Sequence, residues 1–239
     1  MKERAELVKK IVDIHDAIGF HNCPLSLALS ANDVELFEYL LKNGANVNEV
    51  DYTGCTVLNE AVGCRDVPLI KRLLKLGADP TIPSTNPLSG IGNRLEGRLA
   101  PEYKEGIRSD YEIAKLLLAH GAVLTPSKRE STTPLFYAND YNTAKLYLEH
   151  GVDINHQNYN GATAFIYLAN SAESIGADEV IRMMELYIQH GANINAVAND
   201  YCAYGTALDG VLFDEAPGTQ KIIDFLRKNG ARREVELQK

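Results

Sequence analysis

The run Asp51-Tyr52-Thr53-Gly54-Cys55-Thr56-Val57-Leu58-Asn59-Glu60-Ala61 decides how the rest of this sequence reads. Asp51 and Gly54 have the composition of a tight turn, Thr56 offers an oxygen to the orphan amides of a helix start, and Val57, Leu58 and Ala61 share an apolar helical face. Further on, Ile70, Leu73 and Leu74 form a second apolar stripe, and Gly77-Ala78-Asp79 follows it, with Gly77 placed to take the left-handed conformation that ends a helix. The segment therefore reads as turn, short helix, longer helix, turn.

Working outward, the same closing pair of Gly with Ala or Val recurs at Gly44, Gly77, Gly121, Gly151, Gly191 and Gly230, at intervals of 33, 44, 30, 40 and 39 residues. Apolar side chains stand seven, four and three positions before the first five of these glycines, among them Phe37, Leu40 and Leu41, and Met184, Tyr187 and Ile188. Upstream of each longer helix lies a shorter start signal: Cys23-Pro24-Leu25, Thr56-Val57-Leu58, Asn86-Pro87-Leu88, Thr133-Pro134-Leu135, Thr163-Ala164-Phe165 and Thr206-Ala207-Leu208. Thr or Asn can cap there, and Pro fits the first helical turn without losing a hydrogen bond.

These units resemble ankyrin repeats, the second and the fifth (Asn158-Tyr159-Asn160-Gly161-Ala162-Thr163) most closely. The resemblance implies an all-α solenoid of about six helix-turn-helix repeats with hairpin-like turns. Boundaries are expected near 19–50, 51–82, 83–126, 127–156, 157–197 and 198–235, as one domain over 1–239, with a capping helix within 1–18 and a tail at 236–239. Leu7, Val8, Ile11, Val12 and Ile14 give that first helix an apolar face, and Arg227 replaces the usual apolar residue in the last unit, as a polar end requires. Residues 90–110 add a long connector inside the third unit, and extensions at 171–178 and 214–218 separate the helices of the fifth and sixth. In the fourth unit the two helices are joined by Asn139-Asp140-Tyr141-Asn142.

Across 239 residues, 45% are hydrophobic and 23% charged, which excludes disordered and collagen-like classes. The net charge of −8 disfavours duplex nucleic acid or an anionic membrane as the main partner and fits a basic protein. Charges break up the N-terminal residues, no stretch is apolar enough to span a bilayer, and a cytoplasmic location is expected. Cys23, Cys55, Cys64 and Cys202 are too irregularly spaced for a disulfide framework or zinc motif, so neither metal nor cofactor is expected.

His120, His150 and His190 each precede a helix-ending Gly, so their recurrence follows the repeat and reads as capping of the last helical carbonyls rather than acid–base chemistry. His15, His21 and His156 are isolated and receive no role. Gly90-Ile91-Gly92 lacks the third glycine of a phosphate loop, and no other catalytic motif is present, so no enzymatic activity is expected.

Partner-binding residues follow from the resemblance, because ankyrin repeats usually bind through the turn tips and the residues after the first helix. This assigns Tyr52, Thr53, Cys55, Gly63 and Cys64 in the second unit, and Tyr159, Asn160, Ala162, Asn170 and Ser171 in the fifth. Phe20 and Asn22 in the first unit, and Tyr201, Tyr204, Phe213 and Asp214 in the sixth, occupy comparable ground. Glu60, Asp140, Asp209, Asp214 and Glu215 read either as a solvated face or as a negative groove suited to a basic partner. Arg94, Arg98, Lys104 and Arg108 form a local basic cluster, the candidate site for a small anion or for an enzyme built on the connector, although Glu96, Glu102 and Glu105 interleave with them. The expected function is a non-enzymatic protein-binding scaffold, monomeric when free. It would be an inhibitor of the immunity type, a host-directed effector or an adaptor.

Overall fold

The computed structural model describes residues 3, 6, 23–82, 86–91, 106–126, 131–200, 203–212 and 217–238, without the side chains of 106–109, 199–200 and 203–204. Two compact units divide the chain, Met1–Val123 and Leu124–Lys239. In the first unit the helices Pro24–Ser30 and Val34–Lys42 form repeat 1, and Val57–Gly63 with Val67–Lys75 form repeat 2. Repeat 3 pairs a single 3-10 turn, Pro87–Gly90, with the helix Gly106–Ala119. The second unit opens with another 3-10 turn, Pro134–Tyr137, and the helix Tyr141–Glu149. Ala164–Ala169 and Ala177–Gln189 follow as repeat 5, then Ala207–Val211 and Thr219–Lys228 as repeat 6.

All six closing glycines adopt positive φ, from 79° at Gly151 to 92° at Gly121. The three histidines before them cap as the repeat implied: Nδ1 of His120, His150 and His190 lies 2.8, 2.8 and 2.9 Å from the carbonyl oxygens of Leu116, Leu146 and Leu186. Asn43 and Asn229 do the same with their amides, donating to Tyr39 and Phe225. The apolar stripes are interior: Ile70, Leu73, Ala114, Leu117, Ala144 and Met184 have no exposed surface. Burial pushes the Tyr187 phenol far above its ordinary value, aided by the nearby Asp140 charge.

Neighbouring repeats are joined by an asparagine ladder. Asn48 donates to the Gly77 carbonyl and accepts from the Asp79 amide. Asn155 repeats this with Gly191 and Asn193, and Asn195 with Gly230 and Arg232. Each amide side chain thereby pairs one donor and one acceptor of the next turn.

The helix starts divide by chemistry. Thr56 and Thr206 stand three residues before Asn59 and Asp209, and both form reciprocal capping boxes. Thr133 and Thr163 are followed at that spacing by Phe136 and Ile166, which offer no polar atom. Their buried hydroxyls find no hydrogen-bond partner among the described residues, so the capping expected of them is absent. Asn86 caps by accepting from the Leu88 amide and also donates to the Val123 carbonyl.

The insertions have their own structure. The connector ends earlier than expected, because helix begins at Gly106. Its flanks are tied by Arg65, which donates from Nε to Asp110 at 2.7 Å and from Nη2 to the Ile91 carbonyl at 2.6 Å, with both ion-pair side chains buried. Arg65 itself has φ of 55°, a left-handed conformation that few non-glycine residues adopt. The extension at 171–178 contains a single helical turn, Ala172–Ile175, ended by Gly176. In the fourth repeat Asp140 is the N-cap and Tyr141 already helical, so the junction is shorter than Asn139–Asn142. Repeat 6 opens with an antiparallel hairpin, β1 (Ala198–Asp200) and β2 (Ala203–Gly205), an addition to the helical architecture.

A last helix, Glu234–Leu237, takes in the first two residues of the expected tail. Arg227 pairs with Glu236 at 2.9 Å, and Arg233 with Asp209 at 2.9 Å. Of the expected N-terminal helix only Glu3 and Glu6 are described, both helical and exposed; Leu7 to Ile14 lie outside the described residues.

Candidate functional site

In the first unit, one turn tip is built by Asp51, whose Oδ1 accepts from the Thr53 amide, the Thr53 hydroxyl and the Cys55 amide. Gly54 at φ 76° completes it. With its ends so held, the turn lifts Tyr52 into solvent at 50% exposure, while Thr53 and Cys55 lie half-buried behind it. Cys64 is exposed at the end of the first helix of the same repeat. Glu60, on that helix, accepts a hydrogen bond from the Ser30 hydroxyl of repeat 1.

The second unit repeats the design. Asn158 Oδ1 accepts from the amides of Asn160 and Ala162, Gly161 is at φ 75°, and Tyr159 projects at 83% exposure. Behind this tip lies an aromatic cluster: Phe136 and Tyr167 meet edge to face with centroids 5.2 Å apart, and Phe136 meets His156 at 6.4 Å. His156 Nε2 reaches the Ser131 carbonyl at 2.7 Å, and Tyr167 Oη accepts from Asn158 at 3.4 Å. Tyr167 stays 42% exposed, so one edge of the cluster is open. Rings held this way bring large contact area with little conformational freedom left to lose.

Several expected site residues have structural duties. The Asn170 amide donates to the Ile166 carbonyl, and its side chain lies against Gly210, where a Cβ would come within 2.8 Å of it. Ser171 donates its hydroxyl to the Tyr167 carbonyl. Both remain at the rim of the cluster. Phe20, Asn22, Tyr201, Phe213 and Asp214 lie outside the described residues, as do Arg94, Arg98 and Lys104. For Tyr204 and Arg108 only the backbone is described, in β2 and in the helix Gly106–Ala119.

The negative groove requires correction. Asp140 is buried and caps its helix by accepting from the amides of Asn142 and Thr143. Asp209 is buried too and accepts from Thr206, Arg233 and the Glu234 amide. Burial alone would raise the Asp209 carboxyl, yet these bonds outweigh it and hold it below its ordinary value. Two of the five carboxylates thus work inside the fold, where a partner does not meet them.

Reading the sequence missed Phe136, His156 and Tyr167. For Tyr167 alone a signal was present: aligning the six helix starts places Leu27, Glu60, Gly90, Tyr137, Tyr167 and Gly210 at one position, four residues after the cap, where a core residue would not vary so widely. Cys23 is buried, which raises its thiol, and neither Cys55 nor Cys64 is in a disulfide among the described residues. Among the described residues no group of His, Cys, Asp and Glu is arranged to hold a metal ion, and no helix is long and apolar enough to cross a membrane.

A family model for ankyrin repeats in three copies matches residues 1–84. A Fowlpox virus (strain NVSL) protein named for ankyrin repeats is 30% identical over 129 residues, which cover 45% of this chain and 17% of the relative. The mouse B-cell lymphoma 3 protein homolog is 36% identical over 75 residues, covering 30% of this chain and 16% of the relative. The chain spans less than a third of the length of the curated relatives it matches. An ankyrin repeat domain of Acinetobacter baumannii AYE superposes with a TM-score of 0.61 at 23% identity, covering 87% of this chain and 98% of that one.

Proposed function

We propose that this chain, an ankyrin-repeat protein, binds a partner protein through the tyrosine-bearing turn tips and the residues beside them, and does no chemistry of its own. Ankyrin repeats generally mediate protein–protein interaction. The observation that carries the reading here is the pairing of Tyr159 at 83% exposure with the half-open Phe136–Tyr167–His156 cluster, because an aromatic surface already held in place loses little entropy on binding. Tyr52, Thr53, Cys55 and Cys64 form the corresponding surface of the first unit, and Asn160, Asn170 and Ser171 the polar rim of the second. Acting by occupation of a surface, the protein would serve as an inhibitor of the immunity type, an effector or an adaptor. The net charge of −8 supports a basic partner through long-range attraction.

The test is affinity capture from a lysate of the native organism with the wild-type chain and with a Tyr52→Ala, Tyr159→Ala, Tyr204→Ala variant. Loss of a wild-type partner from the variant supports the assignment. Equal recovery of the same partner by both chains rejects it.

A further inference from the structure

Three Asn-Gly pairs occur in the chain, Asn43-Gly44, Asn160-Gly161 and Asn229-Gly230. Such a pair carries its own chemistry. The amide nitrogen of the glycine can attack Cγ of the preceding side chain, because a residue without Cβ leaves that nitrogen unshielded. Gly44, Gly161 and Gly230 all donate this N–H to the carbonyl three residues back, at 3.1, 2.9 and 3.1 Å. In each pair, therefore, the turn must open locally before the nitrogen is available.

What separates the pairs is the carbon under attack. Asn43 and Asn229 donate their side-chain amides to the carbonyls of Tyr39 and Phe225 at 2.7 and 2.8 Å, which pins each side chain toward the residue four back. Asn160 donates its backbone amide to Asn158 Oδ1 at 3.0 Å, but its side-chain amide has no hydrogen-bond partner among the described residues. Solvent exposure alone would order them the other way, since Asn43 and Asn229 are exposed and Asn160 is half-buried. The first unit's tip has no counterpart, because Thr53-Gly54 stands where Asn160-Gly161 does.

We propose that Asn160 is a self-modification site, whose conversion to isoaspartate rebuilds the Tyr159 tip. As the turn opens, Gly161 N forms a bond to Asn160 Cγ, the Cγ–Nδ2 bond breaks, and the proton from Gly161 N leaves with Nδ2 as ammonia. The five-membered imide then takes up one water. Cleavage of its Cγ–N bond gives aspartate; cleavage at the main-chain carbonyl carbon gives isoaspartate, with the chain running through Cβ and Cγ. Either product puts a carboxylate beside Tyr159 in place of a neutral amide. Isoaspartate also adds one atom to the main chain inside the turn, where Asn158 Oδ1 now holds the Ala162 amide at 3.0 Å. The lengthened turn does not close on that bond, and Tyr159 loses its fixed presentation.

Incubation of the full chain at 37 °C at pH 6 and pH 8.5, followed by peptide mapping that separates aspartate from isoaspartate, tests the site. Asn160 should convert faster than Asn43 and Asn229 by roughly two- to tenfold, the rate factor of one extra hydrogen bond to be broken. Conversion should be faster at pH 8.5, because the attacking nitrogen must give up its proton. Asn160→Gln, which would have to form a six-membered ring, should block it. Conversion of Asn43 or Asn229 as fast as Asn160, or an unchanged Asn160 after a free peptide of residues 157–164 has converted fully, would overturn the site. Amide NMR of the converted chain should show the Ala162 resonance displaced, while Asn160→Asp, which adds the charge without the extra atom, should leave it near wild type. An unmoved Ala162 amide in the isoaspartate form would overturn the rebuilding of the tip. Neither readout needs a partner, so the outcome stands apart from the binding proposal.

Discussion

Asp110→Ala is the substitution whose consequence the structure sizes best. Arg65 and Asp110 have side chains only 6% and 10% exposed, with Nε to Oδ1 at 2.7 Å and Nη2 to Oδ2 at 3.4 Å. Truncating the carboxylate leaves a buried guanidinium that still donates to the Ile91 carbonyl. A charge-assisted hydrogen bond contributes about 1.5–3 kcal/mol, and the longer contact counts for less. The stranded charge raises the expected loss to about 3–5 kcal/mol, the range for breaking one side of a buried pair. Urea unfolding followed by far-ultraviolet circular dichroism reads this directly: with a slope of roughly 1–3 kcal/mol per molar, the midpoint of the transition involving the first unit falls by about 1 M or more. The double replacement Arg65→Met, Asp110→Leu removes both charges and should recover most of the loss. If Asp110→Ala unfolds within about 0.5 kcal/mol of wild type, the pair is not the tie between the flanks of the connector that the geometry describes.

Three further outcomes follow from the second unit. Thr206→Val breaks a capping box and should cost about 1 kcal/mol, whereas Thr133→Val and Thr163→Val remove hydroxyls with no partner among the described residues and should be neutral or stabilising in the same urea assay. Asn155→Ala deletes two bonds of the ladder, at 2.9 and 2.7 Å, and should lower stability by roughly 1–2 kcal/mol and speed hydrogen exchange at the Asn193 amide. Because the Asp209 carboxyl is held below its ordinary 3.8, the stability it contributes is complete above that value and is lost as pH falls through the lower folded value. Unfolding measured from pH 6 down to pH 2 should therefore show a shallower acid decline in Asp209→Asn than in wild type.

How much of this was legible in the sequence depended on how far each residue's partner lies along the chain. The closing glycines, the histidine caps and the apolar stripes were readable because each acts within one helical turn, as His150 does on Leu146. Tyr52 and Tyr159 were readable because the Asx turns that expose them are local. Arg65 was not, since Asp110 is 45 residues away across the insertion and nothing in its neighbourhood marks it as buried. Asp209 read as a surface charge for the same reason: Arg233 and Glu234 reach it from the final helix region. The hydroxyls of Thr133 and Thr163 accept no cap bond, and with Phe136 and Ile166 three positions on neither can close the reciprocal box that Thr56 and Thr206 form. The cluster of Phe136, His156 and Tyr167 needed two repeats to be stacked before its members became neighbours.

The central claim is that the second unit's aromatic tip carries binding energy. Its most direct measurement is the Kd of the captured partner for wild type, Tyr159→Ala and Tyr167→Ala, with Tyr111→Ala, half-buried on the helix Gly106–Ala119 of the first unit, as a control. Loss of a binding anchor costs 1–2 kcal/mol or more, so the first two variants should bind about tenfold more weakly and the control should match wild type. Unchanged affinity in both Tyr159→Ala and Tyr167→Ala, with the partner still bound, would contradict the account.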